Sequence, residues 1–119
     1  NGIGPTLVGG SRKHGGPDLG PTRAREAWLR LGVNGKGLAD APPSADAPED
    51  FVPKLTVKMA AVIQGFPLDW TISGRKTAAY RQVGNAFPAP VAEAVGKSIR
   101  SAIEAAAAER QLPALRVVS

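Results

Sequence analysis

Residues 54–98 read KLTVKMAAVIQGFPLDWTISGRKTAAYRQVGNAFPAPVAEAVGKS, and this stretch decides the fold because it sets two helix starts, two tight turns and a Gly-Asn step in a row. Thr56 caps a helix running through about Gln64, since a hydroxyl ahead of an apolar run accepts from the first free N–H groups. Val57, Met59, Ala60, Ala61, Val62 and Ile63 make that helix apolar on nearly every side, so it has to be buried on several of them. Gly65 stops it as the residue just past the last turn, and Phe66-Pro67 turns the chain. Asp69 to Ile72 then forms a short extended stretch. Gly74-Arg75-Lys76 leads into a second helix over Thr77 to Val83, with Lys76, Tyr80 and Arg81 as a basic and aromatic face open to an anion. Gly84-Asn85-Ala86-Phe87 follows, directly before a helix that starts at Pro88 or Pro90. Such a junction bares backbone N–H groups beside an entering loop, a natural place for a carboxylate or another polar ligand.

Downstream, the last helix extends to about Arg110, with Val91, Val95, Ile99, Ala102, Ile103 and Ala106 as its apolar stripe. Upstream, residues 1–21 carry seven glycines and three prolines around Thr6-Leu7-Val8, which predicts a short extended piece running into a Gly-rich loop. Within that loop Gly10, Ser11, Arg12, Lys13 and His14 combine close backbone approach with side-chain donors, a pattern that suits phosphates or base edges as well as it suits water. Gly9-Gly10 belongs to no phosphate-cradling motif. Thr22 caps a helix from Arg23 to Leu31 in which Ala24, Ala27, Trp28 and Leu31 share a face, Trp28 being its core anchor. From Asn34 to Pro53 the Gly-, Pro- and Asp-rich composition predicts a connector that buries too little to order itself.

The chain has 119 residues, enough for one domain with a modest core, and 43% of them are hydrophobic. Its net charge of +5 is unevenly placed: +4 in residues 1–36, −4 in residues 37–53 and +5 in residues 54–119. With a pI near 10.1, two basic segments flanking an acidic connector permit a polyanionic partner, or else solvate helix faces. There is no cysteine and a single histidine, which removes disulfides, a thiol nucleophile and thiolate metal sites from this chain and argues against a metal centre. No apolar run approaches the roughly 18 residues of a membrane span, so a cytoplasmic protein without a membrane partner is expected. The chain opens on Asn1 rather than Met, which reads as a piece or a processed subunit of something longer.

Leu55-Thr56-Val57-Lys58-Met59, Gln64-Gly65-Phe66-Pro67 and Tyr80-Arg81-Gln82-Val83-Gly84-Asn85-Ala86-Phe87-Pro88 resemble, in order and spacing, the last two blocks of the DNA cytosine-C5 methyltransferases. Pro5-Thr6-Leu7-Val8-Gly9-Gly10 is similar, more loosely, to the end of that family's target-recognition region. The resemblance implies a piece that is mostly α with short β segments, belonging to an α/β, Rossmann-like, S-adenosylmethionine-dependent fold. It implies residues 1–36 as the end of the target-recognition region, 37–53 as a linker and 54–119 as the C-terminal part of the catalytic domain. Gly84, Asn85, Ala86 and Phe87 would then be cofactor-side residues. Gly10, Ser11, Arg12, Lys13 and His14 would face double-stranded DNA, while Leu55, Thr56, Gln64, Gly65, Phe66 and Pro67 would be structural. The setting implied is a bacterial cytoplasm, at the nucleoid, and a restriction–modification system.

Three positions depart from the family pattern. Where it usually has Arg-Glu, this chain has Lys58-Met59; a Met cannot be expected to close the capping box, so the helix start should lose about 0.5–1 kcal/mol, and Lys58 lacks a bidentate fork. Phe87 is bulkier than the usual Val. The family's nucleophilic Cys, which adds to cytosine C6, and its Gly-rich cofactor segment have no counterpart here, so no catalytic residue is assigned in this chain. The expectation is a C-terminal portion, inactive alone, that needs the N-terminal catalytic portion in the same enzyme or in a separate large subunit. The alternative is a small basic, non-enzymatic DNA-binding module.

Overall fold

The computed structural model describes residues 2–9 and 17–111, divided between two units, Asn1–Pro88 and Ala89–Ser119. Three helices belong to the first, α1 (Thr22–Arg30), α2 (Val57–Ile63) and α3 (Lys76–Asn85), and one to the second, α4 (Ala89–Gln111). Strand structure among the described residues comes down to a single parallel bridge between Ala39 and Thr56. The piece is therefore mostly helical, as expected.

In the first unit the core gathers side chains from every segment: Leu7, Leu19, Trp28, Leu38, Ala60, Ala61, Tyr80 and Val83, with Val33, Leu55, Val57, Phe66 and Ile72 packed against them. Trp28 anchors it from α1, as its position on the apolar face predicts. The helix packing is α2 on α3, and small residues make it close, because Ala60 and Ala61 are buried along α2 and Ala79 along α3. The far side of α2 is not covered: Val62 and Ile63 are about half exposed. Among the described residues of the first unit, the expectation that this helix is enclosed on several sides is met on one side only.

Three local expectations are corrected. Pro21, not Thr22, occupies the N-cap of α1, and no side chain caps it; Thr22 is already helical, and its Oγ1 accepts instead from an Arg25 guanidinium N–H at 3.0 Å. At α2 the capping box closes after all. Thr56 Oγ1 accepts from the Met59 N–H at 3.1 Å, and the Thr56 N–H points to Met59 Sδ at 3.5 Å, because an unbranched thioether can curl back over one turn and its sulfur is a weak acceptor.

The third correction concerns the connector. Leu38 is buried in the core, the Ala39 N–H donates to Leu55 O at 2.9 Å, and the Asn34 N–H donates to Pro53 O at 2.8 Å. Average composition conceals the one leucine that fixes this segment. Its acidic middle, residues 40–50, runs over the surface, with Ala47 half-buried.

α4 makes up the described part of the second unit. Val91, Val95, Ile99 and Ile103 recur every four residues along it, each 47–64% exposed. Ion pairs join Lys97 to Glu93 and Arg100 to Glu104, each one turn apart, a modest aid to an exposed helix.

Candidate functional site

The end of α2 dictates the site. Gln64 holds the C-cap of α2, and Gly65 takes a φ of +81°. The Phe66 N–H donates to Ala61 O and the Gly65 N–H to Val62 O, both at 3.0 Å, the paired bonds of a Schellman ending. This aims the Gln64 side chain inward, where it is 7% exposed. Its amide Nε2 donates to Val83 O and to Ala86 O, each at 3.1 Å. One buried side chain thus clamps both ends of the Gly84-Asn85 step. A polar residue closing a largely apolar helix, directly before Gly65, was the sequence signal for it.

α3 is longer than the spacing predicts: it begins at Lys76 and takes Gly84 and Asn85 into its last turn, with Ala86 as an extended C-cap. The Ala86 N–H is therefore engaged, on Val83 O at 3.2 Å. Lys76, Tyr80 and Arg81 do not form the anion-facing surface expected of them. Tyr80 is fully buried. Lys76 Nζ is committed to Leu38 O at 3.2 Å and to Asp40 Oδ1 at 2.9 Å, holding the connector to α3.

Gly84 lies where backbone meets backbone. A Cβ on it would stand 2.5 Å from both the N and the Cα of Gly9 and 2.6 Å from the Val8 carbonyl carbon. On the other side, a Cβ on Gly9 would run into Asn85 Oδ1. Leu7, 3% exposed, anchors this entering segment. The N-terminal segment, the end of α2 and the end of α3 meet at this one point. Asn85 and Phe87 are exposed beside it, Phe87 by 65%. Gly10, Ser11, Arg12, Lys13 and His14 lie outside the described residues. A cleft of about 280 Å³ has Val57, Ala61, Trp70 and Ile72 among its lining and touches neither Gly9, Gln64 nor the Gly84-Asn85 step.

The model of the C-5 cytosine-specific DNA methylases matches residues 20–101 of this sequence. The chain belongs to that family. Among curated methylases it is similar to the Type II methyltransferase M.NaeI of Lentzea aerocolonigenes, 60% identical over 104 residues that make up 87% of this chain and 25% of that protein. The Type II methyltransferase M.NgoMIV of Neisseria gonorrhoeae is 62% identical over 53 residues, 44% of this chain and 17% of the relative. Rice DNA (cytosine-5)-methyltransferase 1B is 39% identical over 51 residues, 43% of this chain and 3% of the relative. The methylase chain thus spans a quarter or less of these relatives. No solved structure gives a significant match. Among the described residues no helix is long and apolar enough to cross a membrane.

Proposed function

We propose that this chain is the C-terminal part of a DNA (cytosine-5-)-methyltransferase that methylates C5 of cytosine in double-stranded DNA. The observation that carries the reading is the family match over residues 20–101, which takes in both blocks that the Gln64 clamp joins. Residues 1–36 are the end of the target-recognition region, 37–53 link it onward, and 54–119 complete the catalytic domain, whose Rossmann-like sheet lies in the rest of the enzyme. The apolar stripe of α4 and the open side of α2 are surfaces for that remainder, whether it is the same polypeptide or a separate large subunit.

A stacked cytosine presents no access to its ring carbons, so the whole enzyme flips it out of the duplex. The nucleophile that adds to C6 is a cysteine of the other portion, because this sequence has none, and the chain is inactive alone. S-Adenosylmethionine supplies the methyl group when bound. The residues present fit one wall of its pocket. Gly84 keeps the crossing free of a side chain, the exposed Asn85 amide offers a donor and an acceptor, and the exposed Phe87 ring offers an apolar face. Gly10, Ser11, Arg12, Lys13 and His14 contact the DNA, Arg12 and Lys13 through phosphates or base edges. The protein works at the nucleoid in a bacterial cytoplasm, within a restriction–modification system.

The test is a chimera: M.NaeI with its matched segment replaced by this chain, assayed for transfer of labelled methyl groups from S-adenosylmethionine to DNA. Transfer that Asn85→Ala slows through a raised cofactor KM supports the reading. A folded chimera that binds DNA without any cofactor-dependent transfer would favour the non-enzymatic binding module.

A further inference from the structure

Sequence order assigns Gly9 to the DNA-side loop that it opens. The structure places it elsewhere. Its backbone lies on Gly84, and the space a side chain at Gly9 would need is occupied by the Asn85 amide, whose Oδ1 and Cγ (2.9 Å) it would meet first, followed by Arg81 O at 3.3 Å. Neither Gly9 nor Gly84 has the positive φ found at Gly20, Gly32, Gly37, Gly65 and Gly74. Glycine is required at these two positions by contact, not by backbone conformation. From the opposite side the Gln64 amide fixes Val83 O and Ala86 O, so the last turn of α3 cannot retreat from a pushed Asn85.

We infer that Gly9 is a positioning residue for the cofactor side of the methylase: its bare backbone sets where the Asn85 amide stands. The inference rests on the cofactor role proposed above for Asn85. It makes the segment that enters the DNA loop also the back wall of the cofactor turn, so that one glycine serves the pocket on which methyl transfer depends. A side chain at Gly9 would rotate or displace the Asn85 amide while leaving the basic residues 12–14 unchanged.

The experiment compares Gly9→Ala, Asn85→Ala and the double variant in the M.NaeI chimera, reading KM for S-adenosylmethionine, KM for DNA and direct binding of S-adenosylhomocysteine. It also reads the melting midpoint of each variant. Gly9→Ala is expected to raise the cofactor KM, and to weaken S-adenosylhomocysteine binding, by about fivefold or more with KM for DNA within about twofold. Added to Asn85→Ala, it should produce little further change in either binding or melting, because the group it displaces is already gone. A raised KM for DNA with the cofactor terms unmoved, or full additivity of the two substitutions, would overturn the inference. If Gly9→Ala alone does not fold, the double variant should recover folding, and failure to recover is equally contrary. A parent chimera with no methyl transfer would instead strike at the functional reading, and the melting cycle would still decide whether Gly9 acts through Asn85.

Discussion

Tyr80 gives this fold an alkaline pH dependence. Its side chain is fully buried and its hydroxyl has no hydrogen-bond partner among the described residues. Burial first, and the Asp18 carboxylate second, push the phenol from 10.0 up to about 12. Between those two values the native chain keeps a proton that the unfolded chain has released. The stability is therefore intact below pH 10 and falls as pH rises toward 12, with a shift of one pKa unit corresponding to about 1.4 kcal/mol. Urea titrations at stepped alkaline pH should show this slope, and Tyr80→Phe should abolish it. The same substitution removes an unpartnered buried hydroxyl, so at neutral pH it should be neutral or stabilise by about 1 kcal/mol. Gln64→Ala should act in the other direction, destabilising by about 1–3 kcal/mol in urea unfolding, since it strips a buried donor from two carbonyls. The burial of Tyr80 was legible in the sequence: it stands three residues before Val83 and next to Ala79, an apolar face that a reading for charge passes over. The Gly9–Gly84 crossing was not legible, because contact between backbones 75 positions apart leaves no local pattern.

Among the elements, α2 was read best and the connector least well. Thr56, the apolar run and Gly65 are each sufficient to place a start, a body and a stop, and the structure returns all three. What the sequence could not show was that a sulfur closes the capping box. Met59→Glu restores a carboxylate acceptor at the same position and should raise stability by about 0.5 kcal/mol, measured in urea. In the connector, one leucine outweighs the surrounding Pro, Gly and Asp. Leu38→Ala should destabilise the first unit by about 2–5 kcal/mol, as truncation of a core leucine does, where a true linker would register almost nothing. Lys76→Met tests the other fastening. Its ion pair with the largely exposed Asp40 contributes at most about 1 kcal/mol, so its loss should be felt far less than that of Leu38.

At the scale of the whole molecule, each unit carries an exposed apolar surface: Val62 and Ile63 on α2, and the stripe Val91, Val95, Ile99 and Ile103 on α4. Exposed apolar residues in register along a 23-residue helix are the expected appearance of a surface covered by other polypeptide. Ile99→Asp should therefore lower the melting midpoint of the M.NaeI chimera. The helical character of the piece and its family were both legible in the sequence, because two short blocks carry them. Under the proposed function, the chain is an essential but incomplete part of a cytosine methyltransferase. The most direct measurement is transfer of labelled methyl from S-adenosylmethionine to DNA by three samples: this chain alone, M.NaeI lacking its matched segment, and the two together. Transfer confined to the mixture is the result predicted. Transfer by the 119-residue chain alone would overturn the proposed function, and so would a mixture that assembles into one complex yet methylates nothing.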